Sequence, residues 1–293
     1  MKISNKIRKY RGFLKGGVLT CFAYKSEIYM WVISSVITTI ITILLWFSIY
    51  KKDTTITHNG LTFYEMLAYL ITANMVISAV SATNTFYELG TDIREGKIAI
   101  NLTKPINYRS RCLSNSFGVL IGNTVLVMLP IFIISFLVLH FVTGLPLIKW
   151  YNIILFVISI LCSLIIIDSL DFIIGQVGFF TGALFGIILM KDSIYQFCSG
   201  TLIPLSFLPK TISTVFRFLP FSSINETPTY ILLGFFENET IVSQDYFYSL
   251  TGNSVPLTIV IKLGIQIFWA IALLLLSYLA NKKINHRVVS VGG

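Results

Sequence analysis

Four apolar segments of the chain are long enough to cross a lipid bilayer. They are residues 29–50, 61–86, 113–142 and 255–280. About 20 predominantly apolar residues are enough for a helix to cross the hydrocarbon layer, which is roughly 30 Å thick. The second segment includes one acid, Glu65, close to its start, and the third includes Pro130, which should bend its helix. The pattern predicts a transmembrane helix in each segment.

A fifth apolar stretch, residues 151–190, is too long for a single crossing. Its 40 residues would form a helix of roughly 60 Å, about twice the thickness of the hydrocarbon layer. We therefore expect a turn near residues 178–182 and two helices, at 151–177 and 183–207. An alternative is one continuous helix with a packing stripe of small residues, which the length disfavours. That stripe would consist of Gly175, Gly178, Gly182 and Gly186.

The remaining parts of the chain are less regular. Several prolines interrupt the semi-apolar segment between the fifth and sixth predicted helices, which favours a re-entrant or interfacial segment over another full crossing. Residues 2–25 place apolar side chains at three- and four-residue steps among basic ones, which predicts an amphipathic helix on the cytoplasmic membrane surface.

The predicted fold class is an all-α membrane protein with six transmembrane helices, an N-terminal amphipathic helix, and a re-entrant segment between helices 5 and 6. We divide the chain into an N-terminal cytoplasmic segment (1–28), one transmembrane domain (29–280) and a cytoplasmic tail (281–293). Only 12% of the residues are charged and 55% are hydrophobic, whereas soluble domains carry about 25% charged residues. The composition therefore agrees with the helix pattern.

The net charge of +9 is distributed unevenly across the predicted membrane. Fifteen Lys and Arg residues fall in the N-terminal segment, the loop after the second helix and the C-terminal tail, against five on the other side. The loop contributes Arg94, Lys97, Lys104, Arg109 and Arg111. Because cytoplasmic loops concentrate basic residues, both termini are expected in the cytoplasm, and the protein in the cell membrane. This placement argues against nucleic acid as the reason for the charge.

The sequence lacks the motifs of a self-contained enzyme. The nearest approach to a P-loop, residues 90–98, has one residue too many and Ile98 where a magnesium-binding hydroxyl is needed. Zinc-protease and serine-hydrolase motifs are absent, and the four cysteines show no metal or disulfide spacing. We therefore expect no catalytic, metal or cofactor site in this chain.

Two acids inside the fourth predicted helix are the sharpest chemical feature. Asp168 and Asp171 are three residues apart and so share a helix face. Acids at membrane depth usually face a partner or water, so these two could line a translocation path. The alternative is that they lie near the cytoplasmic end of the helix or pair with a base on another helix. Lys191 and Asp192 form a second polar insert that could supply partners.

Two motifs resemble those of the ABC-2 family of bacterial transporter permeases. The loop sequence IREGKIAINLTKPI at 93–106 is similar to the family's loop between helices 2 and 3, and SGTLIPLSFLP at 199–209 to the end of its helix 5. The triplet LPF at 219–221 and the tail also agree. The resemblance extends over almost the whole chain, in order, and its motifs are moderately specific.

This resemblance implies a permease subunit of an ATP-driven exporter. ATP and Mg would bind to a separate ABC ATP-binding protein, and a second ABC-2 permease, identical or homologous, would complete the path within the membrane lipids. The residues that would couple to the ATPase are Arg94, Glu95, Gly96, Lys104 and Pro105. The residues of the outer gate or re-entrant segment would be Ser199, Gly200, Pro204, Pro209, Pro220 and Phe221.

Two other classes of function stay open at this point. One is a non-catalytic membrane scaffold or immunity protein. The other is a membrane-embedded enzyme that would use Asp168 and Asp171 as paired acids, although no further catalytic motif accompanies them. Co-purification with a P-loop ATPase distinguishes the exporter from both. The motifs do not identify a substrate.

Overall fold

A computed structural model describes eight parts of the chain. They are residues 2–23, 25–50, 57–58, 61–83, 85–143, 150–180, 184–234 and 255–291. Regular structure in these parts is helical, apart from one isolated bridge between His58 and Leu61. The prediction of an all-α protein is therefore confirmed.

The helices are numbered in chain order. They are α1 (Lys2–Ala23), α2 (Lys25–Ile49), α3 (Phe63–Ser81), α4 (Thr85–Arg94), α5 (Lys97–Leu102), α6 (Tyr108–Asn123), α7 (Leu129–Thr143), α8 (Trp150–Gly175), α9 (Leu184–Cys198), α10 (Lys210–Phe218), α11 (Glu226–Leu233) and α12 (Val255–Val291).

Three stretches of the described residues are helical, long and apolar enough to cross a membrane. They are Phe63–Arg94, Tyr151–Gly175 and Ile261–Lys282. They coincide with the second, fourth and sixth predicted crossings. Val36–Ile49, within the first predicted crossing, is a shorter apolar helix. The count of six crossings stays a prediction.

The start of α3 explains why an acid stands at the edge of an apolar segment. Thr62 and Glu65 form a capping box, in which the Glu65 carboxylate accepts a bond of 2.8 Å from the Thr62 backbone N–H. The Glu65 N–H in turn donates to the Thr62 hydroxyl at 3.4 Å. Such a cap pairs backbone groups that the first helical turn leaves free. The helix ends at Ser81, five residues before the predicted end of this crossing.

Helix α8 occupies the centre of the described structure. It packs against α3, α4, α6, α11 and α12. Its side chains Leu164, Ile166 and Ile167 are fully buried, so the helix is enclosed by protein along this stretch. It ends at Gly175, and a turn of 3₁₀ helix follows at Gln176–Phe179.

The chain reverses direction after α8. Lys191, in α9, binds the carboxylate of Asp171, which lies in the last two turns of α8. The chain therefore turns back after α8, and α9 packs against α4 while Lys191 reaches across to α8. With 15 residues, α9 is roughly 22 Å long, and it ends at Cys198 where the prediction continued to 207.

The predicted bend at Pro130 takes the form of a local change in helix type. A π-helical turn, Thr124–Met128, joins α6 to α7, and Pro130 is the second residue of α7. Proline lacks a backbone N–H, and its ring crowds the carbonyl four residues earlier, here that of Leu126. A wider turn at this point accommodates both effects.

Helix α1 packs lengthwise against α6, and the two run parallel. The N–H of Asn107, just before the start of α6, donates to the hydroxyl of Tyr10 of α1 at 3.1 Å. Further on, the Cys21 thiol donates to the Val119 carbonyl at 3.8 Å. The backbones approach so closely that a Cβ on Gly118 would overlap the backbone of α1. The prediction of a helix on the membrane surface did not include this helix–helix contact.

Candidate functional site

A buried ion pair joins four helices at the end of the bundle where α4 begins. Asp168 of α8 accepts from Arg109 of α6 at 2.5 Å, and both side chains are fully buried. The second oxygen of Asp168 accepts bonds of 2.5 Å from the hydroxyls of Thr85 and Ser116. Both oxygens of this buried carboxylate are therefore engaged, which offsets the cost of removing a charge from water.

Arg109 is held on several sides. Its Nε donates to Ser277 of α12 at 2.7 Å, and one Nη donates to Ser169 at 3.0 Å. The guanidinium group also lies over the ring of Phe172, 5.0 Å from its centroid. We call Thr85, Arg109, Ser116, Asp168, Ser169 and Ser277 the inner cluster.

The sequence analysis placed Arg109 among the basic residues of the cytoplasmic loop and gave it no partner. The structure instead buries it completely. Arg109 lies next to the start of an apolar segment, and this position could have indicated its burial. Its partner could not be predicted, because that depends on which helix faces meet. The acids were singled out from the sequence, and the base was not.

Asp171 has a separate partner. Lys191 of α9 contacts its two oxygens at 2.9 and 3.1 Å, and the Tyr195 hydroxyl donates to it at 3.2 Å. Lys191 also lies 3.0 Å from Asp192. The structure therefore assigns Lys191 to Asp171 and Arg109 to Asp168. Both acids are engaged by bases of other helices.

The five predicted coupling residues lie on an exposed loop. Arg94, Glu95 and Gly96 end α4 and turn the chain into α5, while Lys104 and Pro105 follow α5; all five are exposed. Gly96 has φ = 71°, a left-handed conformation that glycine adopts without steric cost. A hydrogen bond from Lys97 holds the pKa of Glu95 below its ordinary value.

The base of this loop is braced by side chains. Asp92 of α4 accepts bonds of 2.8 Å from the Tyr108 hydroxyl and the Asn101 amide, so it ties α4 to α5 and α6. Arg111 of α6 binds Glu88 of α4 at 2.6 Å. Burial raises the pKa of Tyr108 far above its ordinary value, so its hydroxyl keeps the proton that it donates. The exposed loop therefore stands on a rigid base beside the inner cluster.

Of the six residues predicted for the outer gate or re-entrant segment, most are buried within the protein. Ser199, Gly200, Pro204 and Pro220 are buried, Phe221 is half-buried and Pro209 is exposed. Gly200 has φ = 81°, and its carbonyl accepts a bond of 2.6 Å from the Tyr69 hydroxyl of α3. The buried helix α11 follows and packs between α3 and α8.

A second polar cluster surrounds this turn. Gln266 of α12 donates to the Ser223 carbonyl at 2.8 Å and accepts from Ser159 of α8 at 2.7 Å. Arg217 and Glu226 form a buried ion pair of 3.3 Å. The sequence analysis included Ser199 of this segment but not Arg217, Ser223 or Glu226, whose burial depends on α11 folding inward.

The all-helical fold agrees with the result of a comparison with protein-family models. The family model described as ABC-2 family transporter protein matches residues 36–291, which includes all the predicted membrane helices except the start of the first. A search of curated proteins gives no match. Since the family match extends over far more than half of the chain, the chain belongs to the ABC-2 transporter family.

Proposed function

We propose that this chain is the permease subunit of an ATP-driven ABC-2 exporter and that a separate ATP-binding subunit supplies the energy. The observation that carries the proposal is the exposed loop of Arg94, Glu95 and Gly96 on its braced base. An ATPase that docks on such a loop could move α4, and α4 bonds directly to the inner cluster through Thr85.

Helix lengths support a position for the membrane. The inner cluster is reached 18 residues after the start of α8, at Asp168, and 22 residues after the start of α12, at Ser277. At 1.5 Å per residue this is roughly 27–33 Å, which matches the thickness of the hydrocarbon layer. We therefore place the inner cluster at the cytoplasmic boundary, with α4, α5 and both chain termini on the cytoplasmic side.

Placing the inner cluster at the cytoplasmic boundary also fixes the depth of the two acids in the membrane. Asp168 and Asp171 would lie near the cytoplasmic ends of the crossings, and each is already bonded to a base. The structural-pairing alternative is therefore favoured over a direct role in the translocation path. In this proposal the inner cluster fixes the helices that the ATPase moves.

A second permease would complete the path. Helix α2 exposes a predominantly apolar face that suits lipid or another membrane helix. Its exposed members are Met30, Ile33, Val36, Ile37, Ile40, Ile41, Leu44 and Leu45. The partner permease could be a second copy or a relative. The segment from Ser199 to Phe221 would form the outer gate, because irregular backbone at membrane depth has to be buried or line a cavity.

Affinity purification from the native membrane tests this proposal. The full chain should retain a P-loop ATPase, identified by sequencing, and the complex should hydrolyse ATP. A double variant, Arg94→Ala with Glu95→Ala, should retain less ATPase while inserting normally. Lys210→Ala, at the exposed start of α10, serves as the charge-removing control. A scaffold, immunity protein or membrane enzyme would retain no ATPase, and that result would overturn the proposal.

A further inference from the structure

Helix α1 turns the apolar stripe that was predicted to face the membrane toward α6 instead. This stripe includes Tyr10, Leu14 and Val18. The Tyr10 hydroxyl accepts from the Asn107 N–H at 3.1 Å, and a Cβ on Gly118 would overlap the Leu14 carbonyl. Because α6 occupies this side of α1, the helix meets the rest of its surroundings through a different face.

The exposed face of α1 is basic in its first part and apolar in its second. Five exposed side chains follow one another at steps of three or four residues and so share this face. They are Arg8, Arg11, Lys15, Leu19 and Phe22. The two apolar members are 54% and 48% exposed, and α1 contains no acidic residue that could pair with the three bases. A single face therefore offers positive charge at one end and large apolar side chains at the other.

The contact with α6 gives the level in the membrane at which this change occurs. The Ser116 hydroxyl of α6 donates to Asp168 in the inner cluster, which we place at the cytoplasmic boundary. Gly17 of α1 lies beside the preceding residue of α6, since a Cβ on Gly17 would overlap the Asn115 carbonyl. Gly17 therefore lies at about the level of the inner cluster.

Helix α6 runs from this level toward the outer side of the membrane. Seven residues after Ser116, the Asn123 amide donates to the Ser78 carbonyl of α3 at 3.0 Å. Ser78 precedes Thr85 of the inner cluster on the way in from the outer side. Because α1 runs parallel to α6, its residues after Gly17 enter the hydrocarbon layer, and those before it lie toward the cytoplasm.

The spacing along α1 places the two parts of its exposed face on opposite sides of this boundary. At 1.5 Å per residue, the bases from Arg8 to Lys15 lie roughly 3–14 Å before Gly17, and Leu19 and Phe22 lie roughly 3–8 Å after it. The head-group layer is about 5–8 Å thick on each side of the hydrocarbon, and long basic side chains can reach back to it. The bases therefore lie at head-group level and the apolar pair beside acyl chains.

Anionic lipid fits both parts of this face. The anionic head groups of a cytoplasmic leaflet create a negative surface potential that attracts basic residues near the membrane. The acyl chains of the same lipids would cover Leu19 and Phe22. An acidic surface of a soluble ATPase would pair with the bases only, because the apolar pair lies on the hydrocarbon side of the boundary.

We propose that Arg8, Arg11 and Lys15 bind anionic head groups of the cytoplasmic leaflet while Leu19 and Phe22 pack against the acyl chains, and we call these five residues the lipid face. The lipid face rests on the membrane position given with the proposed function, and it does not depend on an ATPase. It would anchor α6 to the leaflet through α1.

Spin-labelled lipids measure this preference directly. The full chain is placed in phosphatidylcholine nanodiscs at low salt with spin-labelled phosphatidylglycerol or spin-labelled phosphatidylcholine, and the motionally restricted fraction of each probe is compared. The wild type should prefer phosphatidylglycerol, and high salt should reduce the preference. Lys15→Gln should lower it about fivefold, the worth of one base at an anionic surface. Lys9→Gln, which removes an exposed lysine from another side of α1, should leave it unchanged.

The triple variant, with Arg8, Arg11 and Lys15 all replaced by Gln, should lose the preference at an unchanged unfolding temperature, because all three side chains are exposed. Two results would overturn the lipid face. One is a wild type that does not prefer phosphatidylglycerol. The other is an equal preference by the wild type and the triple variant, and weaker ATPase retention by that variant would then assign the bases to the ATPase. The lipid assay contains no ATPase, so failure to capture an ATPase and failure to prefer anionic lipid are separate outcomes.

Discussion

Asp168 and Arg109 are 59 residues apart in the chain and form a fully buried ion pair between α8 and α6. Arg109 extends the contact to α12 through Ser277, and Thr85 extends it to α4. The loop that we expect to receive the ATPase is thereby bonded to three membrane helices. This pair is the point at which motion of α4 would reach the bundle.

Breaking this pair should destabilise the whole protein. Asp168→Asn leaves Arg109 buried without its counter-charge, and removing one partner of a buried pair typically costs about 3–5 kcal/mol. We expect a clearly lower unfolding temperature in nanodiscs and a lower yield. Arg94→Ala, which removes an exposed arginine, should have almost no effect on either quantity. Normal stability of Asp168→Asn, together with selective loss of export of a cationic compound, would instead support a place in the translocation path.

The geometry of Arg109 should matter as well as its charge. Arg109→Lys keeps the positive charge but cannot reach Asp168, Ser169 and Ser277 together, because an ammonium group lacks the guanidinium fork. We expect a stability between those of the wild type and Arg109→Ala, with export reduced more than ATPase binding. Equal export by Arg109→Lys and the wild type would contradict a coupling role for this residue.

The turn at Gly96 should be sensitive to a single methyl group. A Cβ added to Gly96 would have no atom within 4 Å, so Gly96→Ala is opposed only by its positive φ, at about 1–2 kcal/mol. We expect weaker retention of the ATPase with normal insertion. Gly12→Ala, on a side of α1 that has no neighbour within 4 Å, has the same free space and no such strain, so it should behave as the wild type. If both variants retained less ATPase, strain in the Gly96 turn would not be the cause of the weaker retention.

The contact between α1 and α6 depends on a glycine. A Cβ on Gly118 would overlap the backbone of α1 at Leu14, so Gly118→Ala should force the two helices apart. We expect a lower unfolding temperature, corresponding to about 1–3 kcal/mol, and faster proteolysis of α1. Gly16→Ala has open space around its Cβ and serves as the control. Unchanged proteolysis of the Gly118 variant would argue against the close packing.

Cysteine labelling tests the orientation. Impermeant maleimide should reach Thr55→Cys and Ser243→Cys from outside intact cells, and should not reach Asn107→Cys. Positions 55 and 243 lie outside the described residues, whereas Asn107 is exposed beside α6. Of the native cysteines, Cys112 is buried, and burial raises the pKa of its thiol, so it should stay unreactive. Outside labelling of position 107 would reverse the orientation and remove the basis for the coupling loop.

The sequence by itself determined the helical class and the membrane environment, because long apolar runs without charge have few other stable forms. Through the length of residues 151–190, it also determined the need for the chain to turn back. These properties follow from a residue's own chemistry or from its near neighbours. They do not require knowledge of which helices touch.

Only the tertiary structure decided which groups pair with the buried charged side chains. Asp168 and Asp171 share a helix face, yet one is bonded to Arg109 of α6 and the other to Lys191 of α9. Helical periodicity cannot predict this, since it gives the face of one helix and not the helix opposite. The burial of Asn225 and Glu226 likewise depends on α11 folding between α3 and α8. A polar group in an apolar layer must find a partner, but only the packing of distant segments determines which one it finds.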